Sequence, residues 1–123
     1  MAEKADLIGV GVEATQAGLL GANVETVAAA GSAITDATAA TQKLIVATGA
    51  DGTKGIKLPA GKTGDVFIVK NVANAVLKLY PASASVAMNG GTAGAAVSMA
   101  AYEMAIVFQN SATNCYGAVA VVF

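Results

Sequence analysis

The sequence predicts an all-β fold: an antiparallel β-sandwich domain preceded by an N-terminal arm. Three observations support this prediction. From Gln42 onward, short apolar runs alternate with turn-forming residues. The chain has 123 residues, the size of one domain. Hydrophobic residues make up 55% of it, so it can build a core although many of them are Ala.

The first forty residues differ from the rest because they are rich in Ala, Gly and Thr and have few large apolar side chains. Residues 12–20 have spacing compatible with a short helix, and residues 31–41 are expected to be extended. We therefore predict an arm over residues 1–41, which lies across a neighbouring chain or folds back on its own domain, and a sandwich domain over residues 42–123.

Eight apolar runs follow the arm, and each is predicted to form a strand. The pairs Asp51-Gly52 and Asn89-Gly90 readily adopt the positive φ of hairpin turns, and Pro59 and Pro81 follow strand ends. The runs cover residues 42–48, 55–58, 65–70, 75–80, 85–88, 95–99, 103–108 and 116–123.

Side-chain alternation divides these strands into two kinds. In residues 75–80, Leu77 and Leu79 point away from Lys78, which gives one dry and one wet face. In residues 65–70 and 103–108 both faces are apolar, so we expect burial on both sides, within the domain or by a neighbouring chain. The residues expected to be mostly buried are Leu44, Val46, Val66, Ile68, Leu77, Leu79, Ile106, Phe108 and Val121.

The composition removes much catalytic chemistry. The chain has no His, no Arg and no Trp, and its net charge is -1. The usual general base at neutral pH, the commonest zinc ligand and the bidentate phosphate clamp are therefore missing. We predict that the protein is not an enzyme, with no catalytic, cofactor-binding or metal-binding residue and no cofactor. Nucleic acid is not an expected partner, because backbone binding needs clustered cations.

Two glycine motifs resemble nucleotide-binding loops. Gly61-Lys62-Thr63 lacks the required earlier glycine and precedes a strand, so a plain turn is expected. Gly9-x-Gly11-x-x-Ala14 with Asp36 matches a loose dinucleotide fingerprint. The downstream chain lacks βαβ units, so a Gly-rich segment without a ligand is expected there.

The carboxylates and the single thiol also favour structural roles. Asp51, Asp65 and Glu103 are too sparse to supply the several oxygen ligands that Ca²⁺ requires. Cys115 has no basic neighbour in the sequence to activate it, so we expect a partly buried small side chain. It has no partner for an intrachain disulfide.

Tyr80, Tyr102 and Tyr116 could in principle form an aromatic platform for a sugar or a base. They lie at the ends of predicted strands without Trp, Arg or His nearby. Positions at the core edge or in a subunit contact are therefore the expected ones.

Neither end of the sequence predicts a membrane partner. The N-terminus carries acidic residues where a secretory signal would carry basic ones, so a signal peptide is not expected. The uncharged run over residues 104–123 is interrupted in its middle by Gln109, Asn110 and other polar residues, so a membrane span is not expected.

Charge is distributed unevenly along the chain. Residues 1–42 have a net charge of -4, residues 43–78 have +4, and Glu103 is the only charged residue after Lys78. A single charged residue in residues 79–123 is too few for this part of the chain to form the charged surface of a small monomer. We therefore expect that another chain covers part of it.

The sequence also resembles small virion proteins of tailed bacteriophages over about residues 31–118. The resemblance depends on Leu58-Pro59, Asn89-Gly90 and three further patterns. These are Gly64-Asp65-x-x-x-Val69-x-Asn71, Ala75-x-x-x-x-Tyr80-Pro81 and Ser111-Ala112-Thr113. The chain differs from that family at Cys115-Tyr116, where an aromatic pair that includes Trp is expected.

The resemblance implies a β-sandwich or jelly-roll-like capsid decoration, or cement, protein. Such a protein would form a homotrimer on the outer surface of an icosahedral head, bound to the major capsid protein. It would be synthesised in the host cytoplasm and located in the virion. A fibre or tail module that binds a host-surface receptor is the alternative function.

Overall fold

A computed structural model describes residues 23–120, and all of its regular elements in this range are β-strands. No helix long and apolar enough to cross a membrane occurs in these residues. The ten strands are β1 (Val24–Ala28), β2 (Thr38–Ala39), β3 (Leu44–Thr48), β4 (Gly55–Lys57), β5 (Val66–Asn71), β6 (Leu77–Tyr80), β7 (Ala87–Met88), β8 (Val97–Met99), β9 (Met104–Ser111) and β10 (Asn114–Ala120).

The first six strands wind into three coils of a β-solenoid. Strands β1, β3 and β5 pair in parallel in one sheet, and β2, β4 and β6 pair in parallel in a second sheet. Val24 pairs with Leu44, and Leu44 pairs with Ile68, so successive coils are offset by 20 and 24 residues. The all-β prediction is confirmed. The antiparallel jelly-roll-like arrangement is wrong for these strands, because each connection crosses to the opposite sheet instead of forming a hairpin.

The last four strands extend each sheet on the side of the third coil. β8 pairs antiparallel with β6, and β9 pairs antiparallel with β5. β10 then pairs antiparallel with β9 and parallel with β7. The result is a six-stranded sheet in the order β1-β3-β5-β9-β10-β7 and a four-stranded sheet in the order β2-β4-β6-β8, both of mixed direction.

The hydrophobic core lies between the two sheets. Phe67 is its largest fully buried side chain, at 1% exposure. The six-stranded sheet contributes Ile45, Ala47, Phe67, Val69, Ala105 and Val107, and the four-stranded sheet contributes Ile56, Leu77, Leu79 and Met99.

The predicted core is correct for only part of its members. Leu77 and Leu79 are buried as expected. Leu44, Val46, Val66 and Ile68 are only half-buried, Ile106 and Phe108 are exposed, and Val121 lies outside the described residues. In β3, β5 and β9 the structure buries the opposite set of alternating side chains. Hydropathy did not distinguish the two sets, because both are apolar.

The described part of the predicted arm, residues 23–41, contributes strands to both sheets. β1 pairs with β3 over its whole length, and Val27 and Ala29 belong to the core. Residues 31–37 form turns, so only the end of the expected extended segment is a strand. The helix expected over residues 12–20 lies outside the described residues.

Two residues hold neighbouring parts of the fold together, Gly55 between two coils and Asn71 between a turn and a loop. A Cβ on Gly55 would lie 2.6 Å from both the Lys78 carbonyl oxygen and the Tyr80 ring, so this position requires glycine. Asn71 is fully buried at the end of β5. Its Nδ2 donates to the carbonyl oxygens of Ala75 and Ala100 at 2.8 and 3.0 Å, which joins the β5–β6 turn to the β8–β9 loop.

Candidate protein-binding face

The outward side of the six-stranded sheet carries apolar side chains in register across neighbouring strands. Its central row runs across five strands, and the neighbouring rows continue it on both sides. At about 4.8 Å per strand, five strands span about 19 Å. We call this surface the apolar face, and its members are Val24, Leu44, Val46, Val66, Ile68, Met104, Ile106, Phe108, Tyr116 and Ala118.

Several members of the apolar face are open to solvent. Val24 is 61% exposed, Ile106 52%, Phe108 46% and Tyr116 40%. Single exposed apolar residues are common on protein surfaces, but contiguous ones indicate a surface that another molecule covers. Ile106, Phe108 and Tyr116 lie on the adjacent strands β9 and β10 and are contiguous. The half-buried Leu44 and Ile68 continue the row from Ile106 to Val24.

The outward side of the four-stranded sheet has a different character. Lys57 on β4 and Lys78 on β6 point outward, opposite to the buried Ile56 and Leu79. The Lys78 Nζ donates to the Ser98 Oγ at 2.9 Å. We call this surface the lysine face. The two outer surfaces of the molecule therefore differ, one being apolar and the other basic.

Two carboxylates fix the loops around the sheets. Glu25 accepts hydrogen bonds from the Thr41 backbone N–H at 2.8 Å and from its hydroxyl at 2.7 Å, and these bonds lower the pKa of Glu25. Asp65 lies 3.1 Å from the Lys43 Nζ. Burial raises the pKa of Asp65, but the Lys62 backbone N–H and the Lys43 ammonium outweigh this, so the pKa is lowered.

The two motifs that resemble nucleotide-binding loops lie in local turns or outside the described residues. Gly61-Lys62-Thr63 forms a turn before β5, where the Asp65 carboxylate accepts from the Lys62 N–H at 2.8 Å. The segment is therefore a turn between strands, as the sequence predicts. Asp36 accepts from the Ala33 N–H at 2.9 Å within its own turn. The motif of Gly9, Gly11 and Ala14 lies outside the described residues.

The remaining candidate groups are not brought together. Asp51 accepts from the backbone N–H groups of Thr53 and Lys54 in a local turn. Within residues 23–120, no three His, Cys, Asp or Glu side chains are grouped to hold a metal ion. Cys115 is buried, its Sγ lies 2.9 Å from the Gln109 Oε1, and burial raises the pKa of the thiol.

The three tyrosines lie in different environments. Tyr80 is buried on the outward side of the four-stranded sheet, where its ring lies against Gly55, and its hydroxyl donates to the Ser32 carbonyl oxygen at 3.2 Å. Tyr116 belongs to the apolar face, whereas Tyr102 is exposed in the β8–β9 loop with a φ of 62°. Tyr80 and Tyr116 belong to opposite sheets, so the three rings do not form one platform.

A cavity of about 260 Å³ opens between the sheets beside β7 and β10. Leu79, Met88, Val97 and Val119 contribute apolar walls, and Asn89 is its polar side chain. The Asn89 Oδ1 accepts from the Gly117 N–H at 2.8 Å. With apolar walls and one amide, this cavity provides packing space and no acid–base pair.

The apolar face is the feature that sequence reasoning located only in part. The two-sided apolar pattern of residues 65–70 and 103–108 indicated that a neighbouring chain could cover one side. It did not indicate which alternating set points outward. The in-register row across β1, β3, β5, β9 and β10 could not be recognised without the strand order.

Comparisons of the chain with protein-family models, with curated proteins and with solved structures give no significant match.

Proposed function

We propose that this protein is a structural virion protein that binds the outer surface of an icosahedral phage capsid and stabilises it. The observation that carries the proposal is the apolar face, where Ile106 and Phe108 are about half exposed in the centre of a six-stranded sheet. A patch of this kind favours a permanent protein partner, because water contact with it is unfavourable. The resemblance to phage virion proteins supplies the kind of partner.

Stabilisation would follow from mass action. A protein that binds the assembled shell, and not its separated subunits, shifts the equilibrium toward the shell. We further propose that the protein attaches as a homotrimer, since three linked contacts raise the effective affinity without any new contact within one copy. The lysine face would then remain in contact with solvent.

The proposal is tested by binding to heads of the encoding phage from which this protein has been removed. Phe108→Asp places a carboxylate in the centre of the apolar face and should abolish co-sedimentation with the heads. Ser98→Asp is the matched control on the lysine face and should bind as the wild-type chain does. Circular dichroism establishes that both variants are folded. Equal binding by the two variants would contradict the proposal.

The wild-type protein should also raise the temperature at which the stripped heads lose their contents. The copy number in intact particles separates this function from its alternative. A decoration protein is present in hundreds of copies per head, whereas a fibre or tail module is present in far fewer.

A further inference from the structure

We draw no further inference here: the strongest candidate, the apolar cavity of about 260 Å³ between β8 and β10 with Val97 and Val119 in its walls, carries none because nothing in the structure shows what fills it.

Discussion

The Phe108 ring on β9 lies 6.0 Å from the Tyr116 ring on β10, with the ring planes tilted by 39°. The two residues are direct partners across the antiparallel strands. Aromatic pairs at this distance stabilise neighbouring strands beyond the effect of their burial. This pair lies on the outside of the sheet, so it stiffens an exposed surface and does not fill the core.

The same substitution should therefore have different costs on the two sides of the six-stranded sheet. Phe67→Ala removes a fully buried ring and should lower the free energy of unfolding by about 3–5 kcal/mol, because it leaves a cavity. Phe108→Ala removes a half-exposed ring and should cost only about 1–2 kcal/mol. Urea unfolding of both variants measures the difference, and equal costs would contradict the assignment of the inner face.

The buried amide of Asn71 should be important for stability. Asn71→Ala leaves the carbonyl oxygens of Ala75 and Ala100 and the N–H of Ala73 without their partner. We expect a loss of about 3 kcal/mol in urea unfolding, because three hydrogen bonds of a buried side chain are removed and each contributes about 1 kcal/mol. The exposed Asn74 offers a matched control, since Asn74→Ala should change stability by less than about 0.5 kcal/mol. Similar values for the two variants would show that the Asn71 bonds contribute little.

Stability should decrease in acid, partly through Glu25. The Thr41 backbone N–H and hydroxyl lower the pKa of this carboxyl in the folded chain. Its contribution is therefore fully present above the unfolded-state pKa and is lost as the pH falls through the folded-state pKa. Unfolding measured from pH 7 to pH 2 should show a shallower pH dependence in Glu25→Gln than in the wild type. Parallel curves would exclude Glu25 as a contributor.

The Cys115 thiol should be unreactive in the folded chain. Its side chain is buried, and burial raises its pKa, so little thiolate is present at pH 8. A thiol reagent should label native wild type slowly and label it fully in urea. Ser98→Cys adds an exposed thiol as a positive control and should give one fast-reacting group per native chain. Fast labelling of the native wild type would contradict the buried position.

Truncation tests the place of β1 and β2 in the fold. A chain that begins at Gln42 loses both strands and uncovers core residues such as Ile45 and Ile56. It should be much less stable than a chain that begins at Asn23, which keeps them. Thermal unfolding of the two chains measures this difference. If the shorter chain were as stable, residues 23–41 would act only as an arm.

The sequence alone predicted where most strands lie but not how they pair. Each run from 42–48 to 116–123 contains or overlaps a strand, because apolar runs and turn residues are local signals. Parallel pairing such as that of Leu44 with Ile68 joins residues far apart in the chain, so local signals do not predict it. The coils are offset by 20 and 24 residues, and no sequence motif repeats at these intervals.

The orientation of the strands was the least predictable feature. In β6, Lys78 separates Leu77 and Leu79, so one charge was enough to identify the buried side. In β9, the outward-pointing Ile106 and Phe108 are larger than the inward-pointing Ala105 and Val107. Size and hydropathy therefore favoured the wrong side. That inversion is itself informative, because it identifies the candidate site.

During synthesis, strands β8 and β9 are the elements that cover the open edges of β6 and β5. The three coils follow one another along the chain, so they can assemble as it leaves the ribosome. Until β8 and β9 arrive, however, β6 and β5 are open edges that can recruit strands from other chains. Slow or interrupted translation after Tyr80 would prolong this exposure. The yield of soluble protein should therefore depend strongly on how quickly residues 81–111 are added.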